Sequence, residues 1–402
     1  MSKTLYFPIS RESLMPCEEL LEIENSRRQL NIGIPAEYAP CEDRVSLTPE
    51  TVDVLVRHGH IVTVEKYAGK GANYTDLKYS EAGACIAERS EVYRADIIFK
   101  INPPTIEEIE MMKKRQLVFS YLNKYQLTKE YIRKLAAKHI TAIAFENIRD
   151  KFGCHPLVRI ICEIAGNVSL QIASEYLCKQ SGGRGIMLGG ISGVTPAEIV
   201  IIGSDKAAEF AARSALALGA FVRVFDNSVD NLQRLQGNLG IRLYTSVIYP
   251  QALTDALATA DAVIATANIE TYQYKNIISE EMVMQMKPGA VIVDLSINNG
   301  GCCETSEIRT LAAPTVIKHG VVHYCASNIT SRVPRTTSMA ISNILLNMIL
   351  KMGQQGSLTI WLKTDADMRN GVYMYNGTIT NSYIGNLFNI PYQDIHLLMA
   401  AF

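Results

Sequence analysis

The chain has 402 residues, of which 48% are apolar and 20% charged, enough for two or three ordinary domains each with its own core. Its 39 basic and 40 acidic side chains leave a formal net charge of -1, which offers no broad field to hold a nucleic-acid backbone or an anionic membrane. No apolar run approaches the roughly 18 to 20 residues of a membrane span. The N-terminus lacks the basic-then-apolar order of a secretion signal, so the expectation is a cytoplasmic protein whose partners are neither nucleic acid nor membrane.

In chain order, the first 29 residues stand apart, because Pro16, Glu18 and Glu19 followed by Arg27 and Arg28 predict a short helix with charges matched to its dipole. An apolar strand start, Ile32-Gly33-Ile34-Pro35, precedes Thr48-Pro49-Glu50, where Thr48 is expected to cap a helix that Pro49 opens. Residues 61–65, 96–100, 117–120 and 140–144 read as further strands, and strand-helix alternation implies a parallel sheet. From Pro156 to about Gln180 apolar residues recur at helical spacing without an internal proline, predicting one long helix able to join two domains. The glycine-dense segment 181–193 predicts irregular backbone.

A new unit follows: strand 199–202, a turn at Gly203, an alanine-rich helix 207–218, and strand 222–226, which together make a βαβ unit. Residues 262–265 and 291–295 read as strands, and a helix-rich tail follows Pro334. Nine cysteines, odd in number and without a C-x-x-C pair, predict mostly buried thiols, and seven histidines without H-E-x-x-H predict no metal site.

A dinucleotide site needs glycines at the first turn, a free helix N-terminus, and an acid about 20 residues on for the ribose. Gly203 ends one strand and Asp226 ends the next, 23 positions later, which suits NAD rather than NADP. The loop itself reads Gly203-Ser204-Asp205-Lys206-Ala207-Ala208, so aspartate stands at the middle glycine. A carboxylate about 5 Å from a phosphate costs on the order of 3 kcal/mol at an effective dielectric of 20, roughly a hundredfold in affinity before relief from Lys206. The alternative reading is that Asp205 caps the helix of a βαβ unit that no longer holds a dinucleotide.

Several motifs then converge: Ile32-Gly33-Ile34-Pro35 with Arg44-Val45-Ser46-Leu47-Thr48-Pro49, Gly182-Gly183-Arg184-Gly185, Met284-Gln285-Met286-Lys287-Pro288-Gly289, Gly300-Gly301-Cys302, and His323-Tyr324-Cys325-Ala326-Ser327-Asn328. With these the chain resembles the alanine dehydrogenase family, related to the nicotinamide-binding subunit of transhydrogenase, across nearly all of residues 32 to 390. The resemblance implies a two-domain α/β fold: a Rossmann-like NAD-binding domain, residues 156–334, inserted in a discontinuous substrate domain, residues 1–155 and 335–402. It also implies an interdomain site and a homo-oligomer, usually a hexamer.

Members of that family hold pyruvate or alanine through an arginine and a lysine, use a histidine as acid/base, and place an aspartate beside the nicotinamide. The arginine falls on Arg44, whose fork suits a carboxylate, with a surface ion pair to Glu42 or Asp43 as the alternative. The family's K-x-K-x-P falls on Lys100-Ile101-Asn102-Pro103-Pro104, so Lys100 stays and Asn102 replaces the substrate lysine. The histidine falls on Asn123 and the aspartate on Asn298; neither asparagine can shuttle a proton. Cys162 replaces a cofactor-contacting serine, and Asn328 falls among the cofactor contacts. Glu37 and Glu146 match family positions, where an acid near a strand end is more often a structural partner. Lys100 and His155 are the remaining candidates for proton transfer.

The resemblance therefore implies an NAD-dependent oxidoreductase taking L-alanine, NAD and water to pyruvate, ammonia and NADH. The replaced residues predict weak or lost NAD binding and a second possibility, a non-catalytic homologue that binds a small carboxylate, an amino acid or a protein partner. A transhydrogenase-subunit reading fits the C-terminal motifs less well.

Overall fold

The computed structural model describes residues 29–122, 127–267, 276–356 and 358–400. The helix expected around Pro16 and the candidate residue Asn123 lie outside the described residues.

The first sheet is built on β1 (Asn31–Ile34), β2 (Ile61–Glu65), β3 (Cys85–Ala87), β4 (Ile97–Phe99), β5 (Leu117–Ser120) and β6 (Thr141–Ala144), all parallel in the order β3-β2-β1-β4-β5-β6. The central strands β4, β5 and β6 are buried at every position, which is why they read as unbroken apolar runs rather than alternating ones. The tail, expected to be helical, adds an antiparallel edge to this sheet: β14 (Val372–Tyr375) pairs with β6 and turns back into β15 (Thr378–Ile379).

The second sheet uses β7 (Glu198–Ile202), β8 (Phe221–Phe225), β9 (Tyr244–Ser246), β10 (Ala262–Ala265), β11 (Val291–Asp294) and β13 (Val321–Tyr324) in the order β9-β8-β7-β10-β11-β13, with β12 (Thr315–Lys318) antiparallel at the edge. Each sheet thus has the doubly wound 3-2-1-4-5-6 order, and each reverses direction once, between β1 and β4 and between β7 and β10. Such switch points open a crevice at the carboxyl ends of the strands. The two-domain α/β expectation holds.

Two long helices tie the sheets together. The 22-residue helix Pro156–Leu177 starts with Leu157 in the first core and runs into the second through Ile164, Val168, Ile172 and Leu177. By length and composition it is long and apolar enough to span a membrane, contrary to the sequence expectation that no run approaches that length, and half of its apolar window is buried within the protein, as in the core helix of a folded domain. It crosses the helix Lys206–Ala217 at Gly166, where a Cβ would stand 2.4 Å from the Ala207 carbonyl oxygen, so only glycine allows this approach. The 21-residue helix Pro334–Gln354 returns the chain to the first core, where Ile341, Leu345 and Ile349 are buried.

Two local expectations are corrected. Thr48 makes no side-chain cap for the helix Pro49–Arg57; its backbone N–H donates instead to Ser342 Oγ at 3.0 Å, pinning the loop to the returning helix. Cys302, Cys303 and Cys325 are buried, but Cys85, Cys154 and Cys178 are exposed, because those positions fall at a strand edge and in loops outside the cores.

Candidate active site at the two switch points

At the first switch point, the chain leaving β1 carries Glu37, Glu42 and Arg44, and the chain leaving β4 carries Lys100 and Asn102. Arg44 grips Glu42 through two charge-assisted bonds, Nε to Oε1 at 2.6 Å and Nη2 to Oε2 at 2.5 Å, while Nη1 donates to Thr330 Oγ1 at 2.9 Å. The alternative foreseen for Arg44, a surface ion pair, is met in part: the partner is Glu42, but the pair is buried, its side chains 9% and 1% exposed. Burial by itself would raise the Glu42 carboxyl; the Arg44 hydrogen bonds and charge outweigh it and hold the group below the ordinary glutamate value. Asn102 Nδ2 and Asn328 Nδ2 also donate to Glu42 Oε2, at 3.1 and 2.8 Å. Asn328, expected on the cofactor side, therefore reaches the carboxylate cluster of the first sheet.

Lys100 is 2% exposed and does not border the small pocket beside Arg44. Its ammonium donates to both oxygens of Glu108 at 2.8 and 3.0 Å, with Glu37 Oε2 at 3.6 Å. Glu108 also completes a capping box with Thr105 at the helix Ile106–Met111, so one carboxylate holds a helix end and a buried lysine. Glu37 Oε1 accepts from the Ile101 N–H at 2.6 Å, and desolvation drives its pKa up to about 7 against the pull of Lys100. A cavity of about 90 Å³ opens beside these groups, bordered by Glu37, Glu42, Asp43, Arg44 and Tyr67.

At the second switch point, Gly203 adopts φ +107°, and a Cβ there would meet Thr266 Oγ1 at 2.4 Å from the chain leaving β10. Asp205 caps the helix Lys206–Ala217, its Oδ1 accepting from the Ala208 N–H at 2.9 Å. Lys206 turns away to Glu209 Oε2 at 2.9 Å, so it does not neutralise Asp205. Asp226 is buried, accepting from Ser204 Oγ at 2.6 Å and from the Ser228 N–H at 2.8 Å. Cys162 lies within the electrostatic reach of Asp205; burial pushes its thiol up to about 12, with that carboxylate adding to the shift. Asp226 thus stands at the ribose position of a dinucleotide fold, and Asp205 occupies the helix N-terminus where the pyrophosphate of such a fold lies.

Asn298 sits exposed on the turn Ile297–Asn299. The buried carboxyl of that segment is Asp294, which accepts from Ser296 N and Cys302 N at 3.0 Å each and from Ser306 Oγ at 2.8 Å, and which burial raises above the ordinary aspartate value. His155 opens the long helix with Nδ1 unpartnered among the described residues, and Glu146 accepts the Leu122 N–H at 2.8 Å. Sequence reasoning passed over Glu108, Asp294, Ser204 and Thr330. The Thr105-x-x-Glu108 capping signature was the one local signal among them.

Two doubly wound α/β domains joined by long helices carry an arginine-carboxylate cluster in one crevice and the buried strand-end acid Asp226 in the other, which places the chain in the class of two-domain, doubly wound α/β proteins. Family models described as alanine dehydrogenase/PNT match this chain over residues 33–165 for the N-terminal domain and 169–382 for the C-terminal domain. An alanine dehydrogenase of Staphylococcus saprophyticus is 38% identical over 369 residues, covering 90% of this chain and 98% of the relative. An alanine dehydrogenase 2 of Staphylococcus aureus is 36% identical over 371 residues, covering 91% and 98%. Among solved structures, an L-alanine dehydrogenase superposes with a TM-score of 0.82 at 33% identity, covering 89% of this chain and 99% of that one. A transhydrogenase from Sinorhizobium meliloti, at 23% identity and a TM-score of 0.75 over 88% of this chain and 99% of that one, shares the fold. The chain belongs to the alanine dehydrogenase family.

Proposed function

We propose that this protein is an alanine dehydrogenase-type protein that holds a small carboxylate or amino acid at Arg44 and has lost the redox turnover its relatives' name describes. The observation that carries this reading is Asp205, whose carboxylate stands on the helix N-terminus that a dinucleotide pyrophosphate would need, with Lys206 turned to Glu209. Three further positions point the same way. Asn102 spends its amide on Glu37 and Glu42, Asn298 is exposed, and Asn123 carries no titratable group.

Arg44 supports the binding half. Its guanidinium has five N–H donors, of which three find acceptors among the described residues, leaving donors for a ligand carboxylate in the adjoining cavity. A second reading, NAD-dependent oxidation of L-alanine, is favoured by Asp226 at the ribose position and by similarity along the whole chain. A homo-oligomer, a hexamer by family resemblance, belongs to either reading and is measured by sedimentation.

Calorimetric titration of the purified protein with pyruvate and with NADH separates the two. Pyruvate binding that Arg44→Ala abolishes, together with weak or absent NADH binding, supports the first reading. NADH binding at low micromolar levels overturns it.

A further inference from the structure

Outside both switch points, a groove of about 410 Å³ runs between the helix Ile106–Met111 and the helix Lys129–Ala137, which pack on one face of the first sheet. Ile109, Ala137 and the aliphatic stems of Arg133 and Lys134 give it an apolar floor. Its rim is cationic, with Arg133, Lys134 and Lys138 against Glu110 and Glu130. The loop at its lower end adds Lys113, Lys114 and Arg115 against Asp96, and is tied there because the Arg115 N–H donates to Lys138 O at 2.9 Å and Lys138 Nζ donates to Met112 O at 2.7 Å. Six cations thus meet three acids, a local charge of +3 in a chain whose formal total is -1. Lys134 pairs with Glu110 and Lys113 with Asp96, whereas Lys114, Arg115 and Arg133 have no acidic partner among the described residues.

An apolar floor under a cationic rim is matched by a segment that mixes acids with aliphatic side chains. Residues 1–28, ahead of the family match that begins at residue 33, contain one. From Ser13 to Ser26 there is no lysine or arginine, and Glu18, Glu19, Glu22 and Glu24 are interleaved with Leu20, Leu21 and Ile23. The groove is also within reach. Strands β1, β4, β5 and β6 begin side by side: the Asp96 N–H donates to Asn31 O, the Leu117 N–H to Asp96 O and the Thr141 N–H to Gln116 O, each at 3.0 Å. The lower end of the groove, over β5, therefore stands two strand spacings and one packing layer from the start of β1, roughly 14 Å. Gln29 Nε2 donates to Gly59 O at 2.9 Å and the Leu30 N–H to His60 Nδ1 at 3.3 Å, which fixes where the chain enters the sheet. The six Cα steps from Leu30 back to Glu24 span up to about 20 Å.

We propose that this groove is the docking site of the chain's own acidic segment, residues 17–24, with Leu20, Leu21 and Ile23 on the floor made by Ile109 and Ala137 and the four glutamates among the cations of the rim. Burial of the aliphatic side chains holds the segment down, and the unpaired cations Lys114, Arg115 and Arg133 select an acidic one. Because the attraction is between partly exposed charges, it weakens with salt.

The test is carbodiimide cross-linking of the full chain, which joins a glutamate to a lysine only where the two touch, read by peptide mass mapping. Links from Glu18, Glu19, Glu22 or Glu24 to Lys113, Lys114, Lys134 or Lys138 should exceed those to exposed lysines elsewhere, such as Lys66, Lys78 and Lys351, by about tenfold or more. Mixing labelled with unlabelled protein separates links within one copy, which are expected, from links between copies, which would give the groove to a second chain and overturn the proposal. Lys114→Glu combined with Arg133→Glu changes two exposed side chains that hold no structural contact among the described residues. It should cut the yield at Lys113, Lys134 and Lys138 by about fivefold, and quicken cleavage after the segment's glutamates by a glutamate-specific protease by about as much. About 0.5 M salt should do the same to the unmodified protein. Links scattered over the surface or absent from the groove, or a yield and cleavage rate that the double variant leaves unchanged, overturn the proposal.

Discussion

The two crevices share one topology and have diverged in chemistry. Both lie where the 3-2-1-4-5-6 strand order reverses, and in both the chain leaving the first strand meets the chain leaving the fourth. In the first crevice that meeting gathers five charged side chains, Glu37, Glu42, Arg44, Lys100 and Glu108, into a buried, cross-bonded set. In the second, Gly203 packs on Thr266 with almost no space between them, and Asp205 caps the helix that the loop opens. The strand order fixes where a ligand can sit; the side chains at the strand ends decide which ligand.

Breaking the first crevice should cost the most. Arg44→Ala leaves the Glu42 carboxylate buried with only neutral donors, the side chains of Asn102, Asn328 and Ser331 and the backbone N–H of residue 44. Removing one member of such a buried pair typically costs about 3 to 5 kcal/mol, so urea unfolding should shift strongly toward lower denaturant. The same variant should bind no small carboxylate. An unchanged midpoint would mean that the pair is solvated and the first crevice open.

Glu37 makes the stability of that crevice depend on pH with a definite sign. Its carboxyl stays protonated up to about 7 in the folded protein but only to the ordinary value of 4.5 when unfolded, so between those values the folded chain binds more protons. Stability is fullest below 4.5, falls as pH rises toward about 7, and is level above it, with a contribution on the order of 3 kcal/mol from this one group. The difference in unfolding free energy between wild type and Glu37→Gln, measured from pH 5 to 8, should trace that slope. A flat difference would remove Glu37 as a buried titrating group.

The second crevice should respond in the opposite direction, by gaining a ligand. Asp205→Gly removes the carboxylate from the helix N-terminus and restores close backbone approach, so NADH binding, followed by fluorescence, should tighten by roughly a hundredfold. The lost cap should cost about 1 kcal/mol of stability. Weaker NADH binding in the variant would show that Asp205 helps to hold the cofactor.

The smallest effects separate two glycines of the second domain. Gly166→Ala forces a Cβ against the Ala207 backbone and should destabilise by about 1 to 3 kcal/mol. Gly237→Ala, in the helix Val229–Leu239 with nothing within 4 Å of its Cβ, should stabilise by about 0.5 to 1 kcal/mol. Thermal unfolding of the pair shows both signs.

The central strands were legible because burial on both faces demands unbroken apolar runs such as Ile199–Ile202 and Leu117–Ser120. The tail hairpin was not seen, yet its signal was present: Asn376-Gly377 joins β14 to β15, both residues at positive φ, the turn chemistry of a two-residue hairpin. Short strands such as Cys85–Ala87 and Tyr244–Ser246 carry too few residues to show a period. The position of Arg44 was readable from its motif, and Glu42 from its place two residues earlier. That Asn328, 286 residues from Glu42, would donate to the same carboxylate is set by the return of the chain from the second sheet, which leaves no trace in local sequence. Lys100 was expected in the substrate site from its place in the family's K-x-K-x-P motif, while its partner Glu108 was hidden because a capping glutamate looks complete without a second role.

The most direct test of the central claim is turnover by the unmodified protein. Incubated with L-alanine and NAD, it should on the proposed reading form NADH very slowly or not at all, because a site without general acid/base help forfeits about 10²- to 10⁴-fold and a carboxylate at the pyrophosphate position would oppose the cofactor. Alanine-dependent NADH formation at ordinary dehydrogenase rates, on the order of 1 to 10³ per second, would contradict the account and make His155 and Lys100 the first residues to substitute.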